Sequence, residues 1–118
     1  MHNKRLKETL AIVKKCCKAL DEKKAINIKV LKLPGEAPIT DYFLIATATS
    51  EPHIRALKNE LEKQIDKVMT GVKFGYEPKS GWAVIDGVDF VIHIFIEEKR
   101  NLYNLESLWK DAEKVKLD

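Results

Sequence analysis

Nothing in this chain of 118 residues runs apolar for long. The longest apolar stretches, Tyr42 to Ala46 and Phe90 to Ile96, fall far short of the roughly 20 residues that cross a bilayer. No membrane partner is expected from them. Lys14 and Lys15 interrupt any signal-type apolar run behind the basic start Met-His-Asn-Lys-Arg, so no secretory signal is expected. Cysteine is scarce, and the two present, Cys16 and Cys17, are adjacent. Neighbours in a helix point about 100° apart, which is poor geometry for a disulfide. A reduced, cytoplasmic setting fits. The five glycines, Gly35, Gly71, Gly75, Gly81 and Gly87, form no phosphate-binding fingerprint. His2, His53 and His93 are too far apart to make a metal-binding pair at helical spacing. No repeat, linker or low-complexity stretch divides the chain. The expectation is therefore one domain over residues 1–118, with no catalytic residue, cofactor or metal.

Apolar residues and charge are both plentiful. At 45% hydrophobic the chain can bury a core, and at 33% charged it is well solvated. The net charge of +3 hides an asymmetry. Residues 1–32 carry ten Lys/Arg against three Asp/Glu, while the remainder carries eleven against fifteen. The basic segment suits RNA, a membrane or an acidic protein, or is simply the solvated face of a helix. Lysine dominates it and arginine appears there once, which favours the solvated face.

The apolar spacing predicts the elements. Leu6, Leu10, Val13, Cys17 and Leu20 share one face of a helix over residues 4–23. Ile26, Ile28 and Val30 alternate with Asn27 and Lys29, as in a half-buried strand over residues 26–33. Pro34 to Pro38 is a loop. Tyr42 to Thr47 suits a central strand covered on both faces. Ser50 can cap the next helix and Pro52 fits its first turn. That helix is expected to reach about Met69, with Ile54, Leu57, Leu61, Ile65 and Val68 inward and Gly71 ending it. A short strand over Val72 to Gly75, a turn over Pro78 to Gly81, and strands Trp82 to Ile85 and Asp89 to Ile96 follow. Asp86-Gly87 predicts a tight hairpin in which the glycine takes a positive φ. Phe90, Ile92, Ile94 and Ile96 face one way, and Val91, His93 and Phe95 the other. Leu102 to Trp109 reads as one or two short helical turns. The fold class is α/β (α+β), a single mixed sheet of about five strands flanked by helices.

Two features could carry chemistry. Asp86 and Asp89 flank the hairpin and could hold magnesium in a nucleotidyl-transfer site. Aspartate also favours turns, and neither further carboxylates nor a phosphate loop accompany the pair. His93 lacks a nucleophile or acid partner, so a structural or interface role suits it better.

Aromatic residues crowd the last third: Trp82, Phe95, Tyr103 and Trp109. Trp109 closes a Leu-x-x-Leu-Trp helix face and reads as core. Trp82 and Tyr103 divide evenly between core and interface, where Trp and Tyr often dominate binding. Stacking on RNA would want interleaved cations. Glu97, Glu98 and Glu106 lie near Tyr103 instead, beside Lys99 and Arg100, which suits a basic protein partner better.

Three segments, in this order and spacing, resemble the ribosomal silencing factor (RsfS, Iojap) family. They are Thr40-Asp41-Tyr42-Phe43-Leu44-Ile45-Ala46-Thr47-Ala48-Thr49-Ser50 with His53-Ile54; Gly81-Trp82-Ala83-Val84-Ile85-Asp86 running to Asp89-Phe90-Val91-Ile92-His93-Ile94-Phe95; and Arg100-Asn101-Leu102-Tyr103-Asn104-Leu105-Glu106-Ser107-Leu108-Trp109. The resemblance covers roughly residues 6–112. It implies a nucleotidyltransferase-like fold without the catalytic groups. It implies binding to the large ribosomal subunit at its ribosomal protein fourteen. A factor bound there blocks joining of the small subunit and represses translation, and family members also assist large-subunit biogenesis. Direct RNA contact is then minor or absent, and a homodimer is one arrangement such proteins take. The ribosomal-protein-binding positions carried over are Trp82, Asp86, His93, Phe95, Arg100, Tyr103 and Leu105. The alternative is a diverged nucleotidyltransferase-like enzyme using Asp86 and Asp89. The chain departs from the family pattern at Ala48, where glycine is usual, and at Pro52, where arginine is usual. Gly87-Val88 stands where a large residue followed by glycine is usual.

Overall fold

A computed structural model describes residues 2–35, 40–76 and 79–117. Six strands form one mixed sheet: β1 Ile26–Lys32, β2 Tyr42–Ala48, β3 Lys73–Tyr76, β4 Trp82–Asp86, β5 Phe90–Ile96 and β6 Glu113–Val115. Their order across the sheet is β3-β4-β5-β2-β1-β6. Only β2 and β5 run parallel; every other neighbouring pair is antiparallel. The helices are α1 His2–Glu22, α2 Glu51–Asp66, α3 Glu97–Tyr103 and α4 Leu105–Leu108.

Every residue of β2 is buried, as its apolar run requires. Its alternate residues feed two cores. Tyr42, Leu44, Ala46 and Ala48 join Phe90, Ile92 and Ile94 of β5 beneath α1 and α2. On the reverse face Phe43 and Ile45 meet Leu31, Leu33, Val91 and Phe95. The two long helices thus serve one face, and the C-terminal segment supplies Leu105, Trp109 and Ala112 to the other. Burying such apolar surface contributes about 25 cal/mol per Å².

The long helices follow their periodicity. Val13, Cys17 and Leu20 of α1 are buried, and Leu6 and Leu10 pack at the margin. Cys16 is buried as well, because the stripe is wide enough to take two adjacent positions. Burial pushes both thiols up to about 12. Ser50 caps α2, its Oγ accepting the His53 N–H at 3.2 Å, and proline occupies the first turn. His53 joins the helices: its Nδ1 accepts the Thr49 N–H at 2.9 Å, so Nε2 donates to the Lys23 carbonyl at 2.8 Å.

Four local expectations need correction. α2 stops at Asp66 with Lys67 as its cap, so Val68 lies beyond the helix and is exposed. Gly71 does take a positive φ of 79°, but in the turn after the helix. In β1 a bulge between Ile26 and Lys29, with Asn27 at φ 52°, breaks the alternation. Ile26 is therefore exposed, while Val30 and Leu31 are both buried because they point into the two cores on opposite faces. In the hairpin the positive φ falls on Val88, at 72°, and not on Gly87. Glycine is required at 87 for space: an added Cβ would stand 2.4 Å from the Phe90 ring. Pro78 and residues 36–38 of the Pro34 to Pro38 loop lie outside the described residues.

Gly87→Ala is expected to lower unfolding free energy by about 1–3 kcal/mol, since the buried Phe90 ring has nowhere to go. Val88 is 70% exposed, so Val88→Gly gives up no core contact. It relieves a β-branched residue held in the left-handed region and is expected to raise stability by about 1 kcal/mol. Urea titration of both variants checks the pair of opposite signs.

Candidate functional site

The reverse face of the sheet gathers the aromatic residues. Trp82 and Phe95 are register partners on β4 and β5, with ring centroids 5.2 Å apart. Gly81 sets this up: at φ 70°, its carbonyl accepts the Ile96 N–H at 3.0 Å. A Cβ there would meet Ile96 at 2.8 Å. His93 continues the row along β5, its ring 5.9 Å from that of Phe95 and 5.8 Å from that of Trp82. Tyr103 of α3 closes the stack at 4.6 Å from Trp82. Phe95 is buried, Trp82 half-buried, and Tyr103 45% exposed. The stack therefore runs from the core out to solvent.

His93 is neutral. Only 7% exposed, its Nδ1 accepts the Trp82 Nε1–H at 3.2 Å, which leaves the proton on Nε2. Nε2 has no partner. Phe43 stands edge-on to the ring at 4.9 Å, and Trp109 is edge-on to Phe43 at 6.0 Å. Burial among these rings pulls the imidazole down to about 4.

Arg100 is 6% exposed and acts as a tie inside the fold. Its Nη1 donates to the Asn27 carbonyl at 2.6 Å and to Thr47 Oγ1 at 2.9 Å. Its Nε pairs with Glu106 Oε1 at 3.0 Å. One guanidinium thus joins α3 to the bulge of β1, to β2 and to α4. The kink between α3 and α4 is Asn104 at φ 45°, a region asparagine tolerates. Beyond the tie, Leu102 and Leu108 stand 69% and 70% exposed. Leu108 thus leaves the Leu-x-x-Leu-Trp face expected to be core, while Leu105 and Trp109 are half-buried.

Six of the seven candidate positions converge here: Trp82, His93, Phe95, Arg100, Tyr103 and Leu105. Asp86 does not. It sits at the other end of β4, exposed, about 13 Å along the strand from Trp82. Its Oδ1 accepts the Val88 N–H at 2.9 Å, which is hairpin chemistry. Asp89 pairs with Arg5 at 2.8 Å, beside Asp41 at 3.0 Å from the same guanidinium. Both carboxylates of the supposed metal pair are thus engaged elsewhere. Among the described residues, no group of three or more acidic, histidine or cysteine side chains is placed to hold a metal ion. No described helix is long and apolar enough to cross a membrane. Sequence reasoning missed Phe43, Asn27 and Thr47 as supports of the site. The alternation of β2 signals Phe43, but nothing local signals that Asn27 and Thr47 receive a distant arginine.

The family model described as ribosomal silencing factor during starvation matches residues 6–118. The chain belongs to the ribosomal silencing factor family. It is 39% identical to the ribosomal silencing factor RsfS of Halalkalibacterium halodurans, over 85% of this chain and 86% of that protein. It is 33% identical to the mouse protein named mitochondrial assembly of ribosomal large subunit protein 1, over 76% of this chain and 41% of the mouse protein. A crystal structure of a Bacillus halodurans protein superposes with a TM-score of 0.76 at 31% identity, covering 94% of this chain and 99% of that one. The family resemblance read from the three motifs and the expected sheet with flanking helices both stand.

Two outcomes follow from the buried polar groups. The His93 imidazole binds a proton less readily folded than unfolded, so stability is intact above about pH 6.5 and falls between about pH 6.5 and 4. That window is worth about 3 kcal/mol. The loss is measured by urea midpoints, as the excess over a His93→Gln variant, which carries no such titration. Arg100→Met is expected to cost about 3 kcal/mol or more, because three acceptors lose one donor group. Arg100→Lys does not restore it, since an ammonium lacks the guanidinium fork. The near-ultraviolet circular dichroism of the Trp82–Tyr103 pair is expected to fade in both variants.

Proposed function

We propose that this ribosomal silencing factor family member binds the large ribosomal subunit in the cytoplasm at its ribosomal protein fourteen. Bound there, it blocks joining of the small subunit and so represses translation, with a part in large-subunit biogenesis. The observation that carries this is the half-exposed Trp82–Tyr103 stack on the sheet face that the long helices do not serve. Aromatic anchors backed by a rigid buried layer are what binding hot spots are made of. Leu102 and Leu108 add exposed apolar surface from the same C-terminal helices. Exposed Glu97 and Glu98 supply acid suited to a basic ribosomal protein. The names of two relatives, a silencing factor and a large-subunit assembly protein, support the same reading.

In this reading the carried-over residues divide by depth. Trp82, Tyr103 and Leu105 can touch a partner. Phe95, His93 and Arg100 hold them in place from below. Asp86 shapes the hairpin at the far end of β4 and contributes little to the contact. The protein acts by occupying a surface and needs no catalytic group.

Purified protein is expected to pellet with isolated large subunits, and an excess to prevent their joining with small subunits in a sucrose gradient. Trp82→Ala and Tyr103→Ala are each expected to weaken pelleting by about 2 kcal/mol or more, and Asp86→Asn to leave it nearly unchanged. Full pelleting by both folded aromatic variants removes this surface from the contact.

A further inference from the structure

The helix on the opposite face carries a feature that partner binding through the aromatic stack leaves unused. Lys4, Lys7, Lys14, Lys15 and Lys18 are all exposed on α1. At 3.6 residues per turn they fall within roughly 100° of arc, along about 21 Å of helix. Ala11 lies in the same arc, Glu8 at its edge, and Asp21 and Glu22 only at its end. Among the described residues, none of the five lysines has an ion-pair partner. α2 is built differently, with Lys58 paired to Glu62 at 3.1 Å and acidic residues interspersed. Five of the ten Lys/Arg of residues 1–32 therefore lie along one line. Beside that line runs a groove of about 720 Å³, with Lys14, Lys18 and Asp21 among its lining over Ala25, Ile28 and Leu117.

We propose that the lysine stripe of α1 is an RNA-binding surface that takes the phosphodiester backbone without regard to sequence, on the side of the sheet opposite the aromatic stack. Three observations select this occupant. The stripe offers no aromatic or large aliphatic anchor, and lysine is depleted at protein interfaces, so a protein partner is poorly served. The apolar side of α1 is committed to the core through Val13, Cys16, Cys17 and Leu20, so the helix has no free apolar face to sink into a lipid surface. Flexible ammonium groups that hold no ion pair among the described residues are what phosphates need, and counterion release supplies the driving force. The two surfaces lie on opposite faces of one sheet, so the RNA and the protein partner bind without competing. This inference uses only the stripe and does not depend on which ribosomal protein the aromatic face meets.

The test is fluorescence anisotropy of the full chain with a labelled single-stranded RNA of mixed sequence. Four phosphate contacts on a single strand predict an affinity loss of about fifty-fold between about 50 and about 200 mM salt. The variant Lys7→Glu/Lys14→Glu/Lys18→Glu is expected to lose about tenfold or more at the lower salt, with its circular dichroism unchanged. A second variant, Arg55→Glu/Lys63→Glu/Lys67→Glu, makes the same change of net charge on and just after α2. It is expected to stay within about threefold of the parent. Salt-insensitive or absent RNA binding overturns the proposal, as does equal loss in the two charge-reversal variants. Stronger binding to phosphatidylserine vesicles than to RNA would replace it with a lipid surface.

Discussion

Everything in this molecule follows from β2 being buried on both faces. A strand in that position needs apolar cover above and below, and the described residues form only two long helices to give it. Both lie on the same face. The reverse face must be closed by what is left, which is the C-terminal segment after β5. That segment is short, kinked at Asn104, and covers only part of the area. The remainder, around Trp82 and Val84, stays half-exposed. A sheet of this kind has an incompletely covered face by construction, and the aromatic stack sits there.

The polar groups inside that face are held in two different ways. Arg100 gathers acceptors from three elements, which fixes the short helices to the sheet. His93 gives up its charge instead, and burial among rings enforces the neutral form. The first arrangement supplies orientation to α3 and α4. The second keeps the row beneath Trp82 flat and apolar. Together they make the aromatic stack a rigid platform, even though it lies close to solvent.

Much of this was legible in the sequence. Helical periodicity marks α1 and α2, the Ser50 cap and Pro52 mark the start of α2, and the unbroken apolar run marks β2 as central. The alternation of β5 separates Phe95 and His93 from the isoleucines correctly. What was not legible depends on distant partners. β6 is three residues of Glu-Lys-Val, and it is a strand only because β1 offers Val30 to Lys32 as an edge. The bulge at Asn27 has no local signature, yet it presents the carbonyl that receives Arg100. Asp-Gly is a sound turn signal, but it could not reveal that Phe90 claims the space over Gly87 and pushes the strained φ onto Val88. The clustering of the site could be read from residue type. Its division into touching and supporting residues required depth, which no periodicity encodes.

Both tryptophans of the chain, Trp82 and Trp109, lie on the reverse face, and none is near α1 or α2. Tyr42 and Tyr76 belong to the other face, so tryptophan emission, excited beyond the tyrosine absorption, is the private reporter of that one surface. The neighbour of Trp82 is an uncharged imidazole across most of the accessible pH range, so a protonated quencher does not confuse the signal. Events at the lysine-bearing helix leave the emission dark to change, while anything that covers the half-exposed indole shifts it. The molecule carries its own label, placed where an occupant of that face would be seen and one on the opposite face would not.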